Sequence, residues 1–196
     1  MRRQVSVGIE SWPLERPFRI SRGVKTAADV VVVELNDGQH VGRGECVPYP
    51  RYGESVDSVA AQIRSVVASL EQGASRIDCR QLLPSGAALN AIDCALWDLE
   101  ARASGRAVDQ LLGLARPTTL TTALTVGLDT PEQMGWVAAQ MSSAPVIKVK
   151  VDGQAPDRQL QAVHDAAPNA KLIVDANEGW SIEILTELNS FLKKIG

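Results

Sequence analysis

Two short polar motifs could carry chemistry, and the first of them is Lys148-Val149-Lys150. In a β-strand, alternate side chains point to the same face, so the two ammonium groups would lie together while Val149 points away. A neighbouring cation and a partly dry site lower the pKa of a lysine, and a general base that works near neutral pH requires this. The motif therefore predicts a lysine base. The alternative interpretation is a pair of solvated charges at a strand end.

The second motif, Asp175-Ala176-Asn177, follows an apolar run that is typical of a buried strand. The Asp175 carboxylate would suit Mg²⁺, which takes one or two carboxylates together with substrate oxygens. The alternative is that Asp175 or Asn177 only caps the helix that follows. Lys150 and Asp175 are 25 residues apart, which is the spacing of the strand ends described next. This match favours a single site that contains both motifs.

Three repeats of a strand followed by a helix would position these motifs. Thr125, Lys150 and Asp175 end the three strands and are each separated by 25 residues. Consecutive strand–helix units are typical of a parallel sheet, and polar residues at a fixed period predict a (β/α) barrel with its active face at those strand ends. The predicted strands are 120–126, 146–151 and 171–174, and the predicted helices are 131–141, 156–167 and 181–195.

The region before these units has strands first and helices afterwards, which indicates an α+β domain. A hairpin-turn signal, Asn-Asp-Gly at 36–38, separates two of the strands. Gly42 and Gly44 lie in the returning strand and form no phosphate-binding loop, because no helix start follows them. The predicted strands are 4–12, 30–35 and 40–46, and helices are predicted after the capping residue Ser55, at 86–103 and at 108–112.

Composition excludes several other classes of protein. The 196 residues carry a formal net charge of −3, whereas a nucleic-acid surface needs clustered Lys and Arg. No apolar run approaches the ~20 residues of a membrane span, and no signal-peptide core follows the basic N-terminus. Cys46, Cys79 and Cys94 lack the close spacing of zinc ligands, so we expect buried, reduced thiols. We therefore expect a cytoplasmic protein that binds neither nucleic acid nor membrane.

Five ordered motifs resemble the muconate-cycloisomerase branch of the enolase superfamily, and within it the bacterial dipeptide epimerases. They extend over essentially the whole chain: RPFRISRG at 16–23, GRGECVPYPRYGES at 42–55, ALNAIDCALWDLEARASGR at 88–106, KVK at 148–150 and IVDANEGW at 173–180. The resemblance implies an α/β architecture in which an N-terminal α+β capping domain, residues 1–116, precedes the first three βα units of a TIM-type barrel, residues 117–196.

The resemblance also implies roles for individual residues. Lys150 matches the base that acts on one face of the substrate α-carbon, and Lys148 matches its companion, which helps to set the pKa of Lys150 and touches the substrate carboxylate. Asp175 matches the first Mg²⁺ ligand. Thr125 and Arg22 match substrate-binding residues, with the Arg22 guanidinium suited to the glutamyl carboxylate of a dipeptide.

The implied activity is a Mg²⁺-dependent isomerase that epimerises L-Ala-D/L-Glu dipeptides by 1,1-proton transfer through an enediolate, in the recycling of cell-wall peptides. The alternatives within the branch are N-acylamino-acid racemase, o-succinylbenzoate synthase and muconate cycloisomerase. In the family pattern, the opposing lysine, the remaining metal ligands and the acidic motif for the substrate ammonium fall beyond Gly196. We therefore expect a truncated chain of this enzyme that is inactive alone. The alternative from a different class is a non-catalytic fragment, held folded in a homo-oligomer or by a second chain that completes the barrel.

Overall fold

The structure, a computed structural model, describes residues 2–20, 23–116 and 118–195. The chain forms two compact units. The first comprises Met1–Pro13 and Ala27–Pro117, and the second comprises Leu14–Thr26 and Thr118–Gly196. The predicted division at residue 116 placed Leu14–Thr26 in the first domain, whereas this segment groups with the second unit.

The first unit contains a three-stranded sheet in the order β1-β2-β3, in which β2 and β3 are antiparallel. Its strands are β1 (Gln4–Ile20), β2 (Gly23–Asn36) and β3 (Val41–Cys46), and its helices are α1 (Val56–Ser65), α2 (Val67–Glu71), α3 (Arg76–Leu82), α4 (Ala87–Ser104) and α5 (Val108–Leu111), with a 3-10 turn at Pro50–Tyr52. Among the described strand pairs, β3 pairs with β2 only at Val31–Asn36.

Two helices of this unit, α1 and α3, begin at residues whose side chains bond free backbone N–H groups. Ser55 caps α1 as predicted, through reciprocal hydrogen bonds with Ser58. The single helix predicted after Ser55 is divided into two helices, because Val66 leaves the helical conformation between α1 and α2. The short helix α3 was not predicted, although Ser75 and Asp78 form a capping box at its start.

The two glycines of β3 allow α4 to approach the strand backbone. A Cβ atom at Gly42 would lie 2.3 Å from the carbonyl oxygen of Ala95, and one at Gly44 would lie 2.1 Å from the carbonyl oxygen of Ala91. Real Cβ atoms do not approach other atoms so closely, so only glycine fits here. The Asp98 carboxylate of α4 also accepts a hydrogen bond of 2.9 Å from the backbone N–H of Arg43. The Gly-x-Gly spacing is therefore a helix-packing feature.

The core of the first unit is apolar and fully enclosed. Its buried residues come from β2, β3 and the helices: Val31, Val33, Leu35, Cys46, Val59, Ala60, Ile63, Val66, Leu70, Cys79, Leu83, Ala88, Ala91, Ile92, Ala95, Leu96 and Leu99. Cys46 and Cys79 are buried and free, as expected, but Cys94 is exposed, so the expectation of three buried thiols was wrong for Cys94. Cys94 is nevertheless close to β3, because a Cβ added at Gly44 would lie 3.0 Å from the Cβ atom of Cys94.

The second unit contains three consecutive βα units whose strands form a parallel sheet in the order β4-β5-β6, and this prediction is confirmed. The strands are β4 (Leu124–Val126), β5 (Val146–Lys150) and β6 (Lys171–Asp175), and the helices are α6 (Pro131–Gln140), α7 (Pro156–Ala166) and α8 (Ile182–Ile195). The first strand is shorter than predicted, since residues 120–123 lie outside it and Leu120 is 82% exposed.

The two faces of this sheet differ. Val126 and Val149 are lateral neighbours and are fully buried in a core that also contains Met134, Leu160 and Val163 from the helices. The opposite face is formed by the alternate residues of each strand and carries the polar side chains described below. None of the helices in the described parts of the chain has the length and apolarity that a bilayer span needs.

Candidate active site

Strand register brings four of the five predicted site residues together at one end of the sheet. Thr125 is the lateral partner of Lys148, and Lys150 is the lateral partner of Asp175. In a parallel sheet lateral partners point to the same face, and Lys148 and Lys150 share a face because they alternate along β5. The four side chains therefore lie on the face that the helices do not cover, at the carboxyl ends of the strands.

Asp175 is the centre of this group. Its Oδ2 atom lies 2.7 Å from Nζ of Lys148 and 2.7 Å from Nζ of Lys150. Its Oδ1 atom accepts a hydrogen bond of 2.9 Å from the backbone N–H of Asn177. The hydrogen bonds from Lys148 and then Lys150 hold the pKa of the Asp175 carboxyl well below its usual range. Asp175 is therefore ionised at neutral pH and holds both lysines in place.

Lys150 is the most enclosed charged residue of the group, with 7% of its surface exposed, whereas the side chain of Lys148 is 36% exposed. Besides Asp175, Nζ of Lys150 donates a hydrogen bond of 2.9 Å to Oδ1 of Asn177. The ring of Phe18, from the segment of β1 that groups with this unit, has its centroid 5.7 Å from the same Nζ. Lys150 thus has a fixed position in a largely water-excluded pocket, which suits a residue that transfers a proton.

Asn177 reaches Lys150 by a route that strand alternation did not predict. The strand ends at Asp175, and Asn177 and Glu178 both adopt left-handed backbone conformations, with φ values of 48° and 66°. Such conformations are uncommon outside glycine, although asparagine tolerates them better than most residues. The turn points the Asn177 amide back towards Lys150. The Asp-x-Asn sequence after an apolar strand was the available signal, but the contact with Lys150 depends on the turn.

The other two predicted substrate residues are placed differently. Thr125 is exposed on β4 beside Lys148, so its hydroxyl is open to a ligand at this end of the sheet. Arg22 lies outside the described residues, so the structure does not place its side chain.

Comparisons with known proteins identify the family of the chain. Residues 2–113 match the family described as Mandelate racemase / muconate lactonizing enzyme, N-terminal domain, which is more than half of the chain. The chain belongs to this family. The family is part of the enolase superfamily, as the sequence motifs indicated.

Several relatives extend the similarity across both units. The chain is 47% identical over 196 residues to L-Ala-D/L-Glu epimerase of Escherichia coli, which is 99% of this chain and 61% of that protein. It is 38% identical over 168 residues to N-acetyl-D-glutamate racemase of a Pseudoalteromonas species, which is 85% of this chain and 53% of that protein. The chain thus spans about three fifths of the length of the first relative and about half of the second.

Two solved family structures show similar folds. An enolase family member from Agrobacterium tumefaciens with homology to dipeptide epimerases, solved with sodium and L-Ala-L-Glu, gives a TM-score of 0.92 at 40% identity, covering 98% of this chain and 59% of that one. The dipeptide epimerase of Cytophaga hutchinsonii, solved with Mg and D-Ala-L-Val, gives 0.87 at 28% identity, covering 100% and 57%.

A divalent cation of the kind bound in the latter structure would fit one residue of this site. The Asp175 carboxylate is a hard oxygen donor at a strand end, and its side chain is 25% exposed. Within residues 2–20, 23–116 and 118–195, no three His, Cys, Asp or Glu side chains are grouped closely enough to hold a metal ion. Asp175 can therefore supply one ligand of an Mg²⁺ site, and it would have to exchange hydrogen bonds from the lysines for the metal.

Proposed function

We propose that the full-length protein is a Mg²⁺-dependent epimerase of L-Ala-D/L-Glu dipeptides. The observation that carries the proposal is the group formed by Lys150, Lys148 and Asp175, in which an enclosed lysine lies 2.7 Å from an ionised carboxylate at the open end of a parallel sheet. The 47% identity to the Escherichia coli epimerase supports the substrate class.

In the proposed mechanism, Lys150 acts as a base on one face of the substrate α-carbon. After loss of its ammonium proton, the amine accepts the α-proton, and the electron pair of the C–H bond moves towards the adjacent carboxylate. Lys148, which is more exposed, would meet that carboxylate with its ammonium group. An acid on the opposite face must return a proton to give the epimer, and the resemblance assigns this role to a second lysine. Mg²⁺, when bound by Asp175, would offset the negative charge that develops on the substrate carboxylate.

Two further residues would set the substrate preference. Thr125 is open to solvent beside Lys148 and would bind the dipeptide backbone. Arg22 would bind the glutamyl carboxylate, for which a forked guanidinium is better suited than a lysine. Because L-Ala-D-Glu is part of the bacterial cell-wall peptide, we also propose a cytoplasmic role in recycling such peptides.

The decisive experiment is exchange of the α-hydrogen in D₂O, followed separately for L-Ala-D-Glu and L-Ala-L-Glu. The wild-type protein should exchange both. Lys150→Ala should abolish exchange from one of the two diastereomers and should weaken substrate binding much less, because the lost interaction belongs to proton transfer. Lys171→Ala, at the opposite end of the neighbouring strand, is the matched control and should behave as wild type. Unchanged exchange in Lys150→Ala from both diastereomers would remove Lys150 from the mechanism.

A second candidate function is racemisation of an N-acylated amino acid, which the similarity to the Pseudoalteromonas N-acetyl-D-glutamate racemase favours. The two substrate classes differ in one group, since the dipeptide has a free ammonium and the N-acyl amino acid has none. The ratio of kcat/KM for L-Ala-D-Glu to that for N-acetyl-D-glutamate separates the two functions. A ratio well below one would assign the racemase activity instead.

A further inference from the structure

Trp180 links the loop after β5 to the loop after β6. Its indole N–H donates a hydrogen bond of 2.6 Å to the carbonyl oxygen of Asp152, which follows Lys150 by two residues. Trp180 itself follows Asp175 by five residues, and its ring packs against the core of the second unit. The Trp180 side chain thus holds the loop after Lys150, the proposed base, against the loop after Asp175, the proposed metal ligand.

The backbone at Asp152 is held by other contacts as well. Its N–H donates a hydrogen bond of 3.4 Å to Oε1 of Gln159, a polar side chain that is only 4% exposed. Its own carboxylate accepts a hydrogen bond of 2.9 Å from the N–H of Gln154. Burial of an amide side chain is costly unless it is hydrogen-bonded, so the Gln159 contact indicates that this loop has one well-defined conformation.

The two loops also approach each other directly. A Cβ atom at Gly153 would lie 3.1 Å from the carbonyl oxygen of Gly179. The backbone N–H of Val151 donates to the carbonyl oxygen of Asp175 at 3.3 Å, which continues the strand pairing past Lys150. The loops therefore form one packed layer directly after the strands, and the Trp180 side chain forms a hydrogen bond across it.

We propose that Trp180 is a positioning residue for Lys150. The indole hydrogen bond holds the β5 loop against the β6 loop, and this keeps Nζ of Lys150 at the distance from Asp175 and Asn177 that the structure shows. The residue does not touch the reacting atoms. The inference rests on the proposed function, since it concerns the proton transfer that Lys150 would perform.

The experiment uses Trp180→Phe in the full-length protein, because phenylalanine keeps an aromatic ring but has no N–H donor. The readout is α-hydrogen exchange in D₂O from each dipeptide diastereomer. Exchange from the diastereomer that Lys150→Ala abolishes should fall about tenfold, which corresponds to one hydrogen bond. Exchange from the other diastereomer and KM should change less than about twofold, because the opposing acid–base group does not depend on this loop.

Two further variants keep the result decisive. Gln159→Met removes the hydrogen bond from the N–H of Asp152 to Oε1 of Gln159. It should give a smaller loss of exchange from the same diastereomer, and it tests the inference if Trp180→Phe does not fold. Trp12→Phe also loses an indole hydrogen bond, to Glu10 at 3.1 Å, but lies in the first unit and should leave both exchange rates unchanged.

The outcomes separate this inference from the proposed function. Equal losses of exchange from both diastereomers would overturn the positioning role while leaving the epimerase function in place. Unchanged exchange in both Trp180→Phe and Gln159→Met would do the same. Absence of exchange from both diastereomers in the wild-type protein would overturn the epimerase function and this inference with it.

Discussion

The sheets of the two units differ in which of their faces are buried. In the first unit, β2 has four consecutive buried valines, Val30–Val33, and α4 lies directly on β3. In the second unit, one sheet face is buried by helices, while the other face exposes Thr125 and Ile173 and carries the charged group around Asp175. The first unit therefore uses both faces of β2 and the glycine spacing of β3 for packing, whereas the second unit keeps alternate strand positions available for chemistry.

This comparison separates residues that stabilise the fold from residues that could act on a substrate. Charged side chains occur in both units, so charge alone does not distinguish them. Asp98 in the first unit bonds a strand-edge N–H and the Arg102 guanidinium. Asp175 in the second unit bonds two lysines beside an open sheet face. The same side-chain type should therefore respond differently to substitution in the two units.

The largest effect is expected for Asp175→Asn, which removes the carboxylate charge from between two ammonium groups. In the full-length protein we expect kcat/KM for L-Ala-D-Glu to fall about a thousandfold, since a metal ligand and charge partner contributes several kcal/mol to catalysis. Calorimetric titration should also show weaker Mg²⁺ binding. Asp98→Asn should lower stability slightly and leave kcat/KM within about twofold. Similar activity losses in both variants would remove the distinction between the units.

The next largest effect is expected for Gly44→Ala. The added Cβ would meet the backbone of α4 at 2.1 Å, so strand and helix must separate. We expect the free energy of unfolding to fall by about 3 kcal/mol, as overpacking of a core does. Gly8→Ala is the control within the same sheet, because a Cβ there has no neighbour within 4 Å. Urea unfolding of both variants measures the difference, and equal stabilities would show that α4 does not constrain position 44.

Thiol reactivity tests the enclosure of the first core. Alkylation of the native protein at pH 8 should modify Cys94 at least about tenfold faster than Cys46 or Cys79, because access to the thiol controls the rate. Burial also raises the pKa of Cys46 to about 11, which keeps it protonated. Peptide mass spectrometry identifies the modified residue. In denaturant the three rates should become similar, and rapid native labelling of Cys46 would mean that this core opens readily.

The smallest effect concerns acid stability of the second unit. The folded pKa of Asp175 lies below its unfolded value, so its contribution to stability is present above about pH 4 and is lost as the pH falls through the folded pKa. The stability difference between wild type and Asp175→Asn should therefore be constant from pH 7 to 5 and should shrink below about pH 4. Urea midpoints across this range measure it. A difference that grows on acidification would contradict the ion-pair geometry.

Much of the second unit follows from its sequence because the signal is local and repeated. Strands that carry Thr125, Lys150 and Asp175 at one spacing at or near their carboxyl ends predict parallel βα units, and strand alternation predicts that Lys148 and Lys150 share a face. Alternation also placed Asn177 on the face of Asp175, but its contact with Lys150 could not be predicted in the same way. It depends on a left-handed turn of two residues, which strand periodicity does not encode.

The features that were missed depend on contacts between distant segments. The grouping of Leu14–Thr26 with the second unit involves Phe18 beside Lys150 and the carbonyl oxygen of Arg19, which accepts a hydrogen bond from the N–H of Leu128. The packing role of Gly42 and Gly44 could be recognised only from the position of α4, which lies against them. Exposure of Cys94 likewise depends on which side of α4 faces the sheet. Local patterns do not carry this information.

The Asp175 carboxylate, which Lys148 and Lys150 share, also affects the electric field at the carboxyl ends of the strands. Two ammonium groups around one carboxylate leave one positive charge uncompensated among these three side chains, in a chain whose overall charge is −3. A local positive potential on an otherwise acidic protein attracts small anions towards one point of the surface and speeds their arrival, and dissolved salt weakens this attraction. The arrangement that fixes the lysines therefore also guides anionic ligands to them before any contact is made.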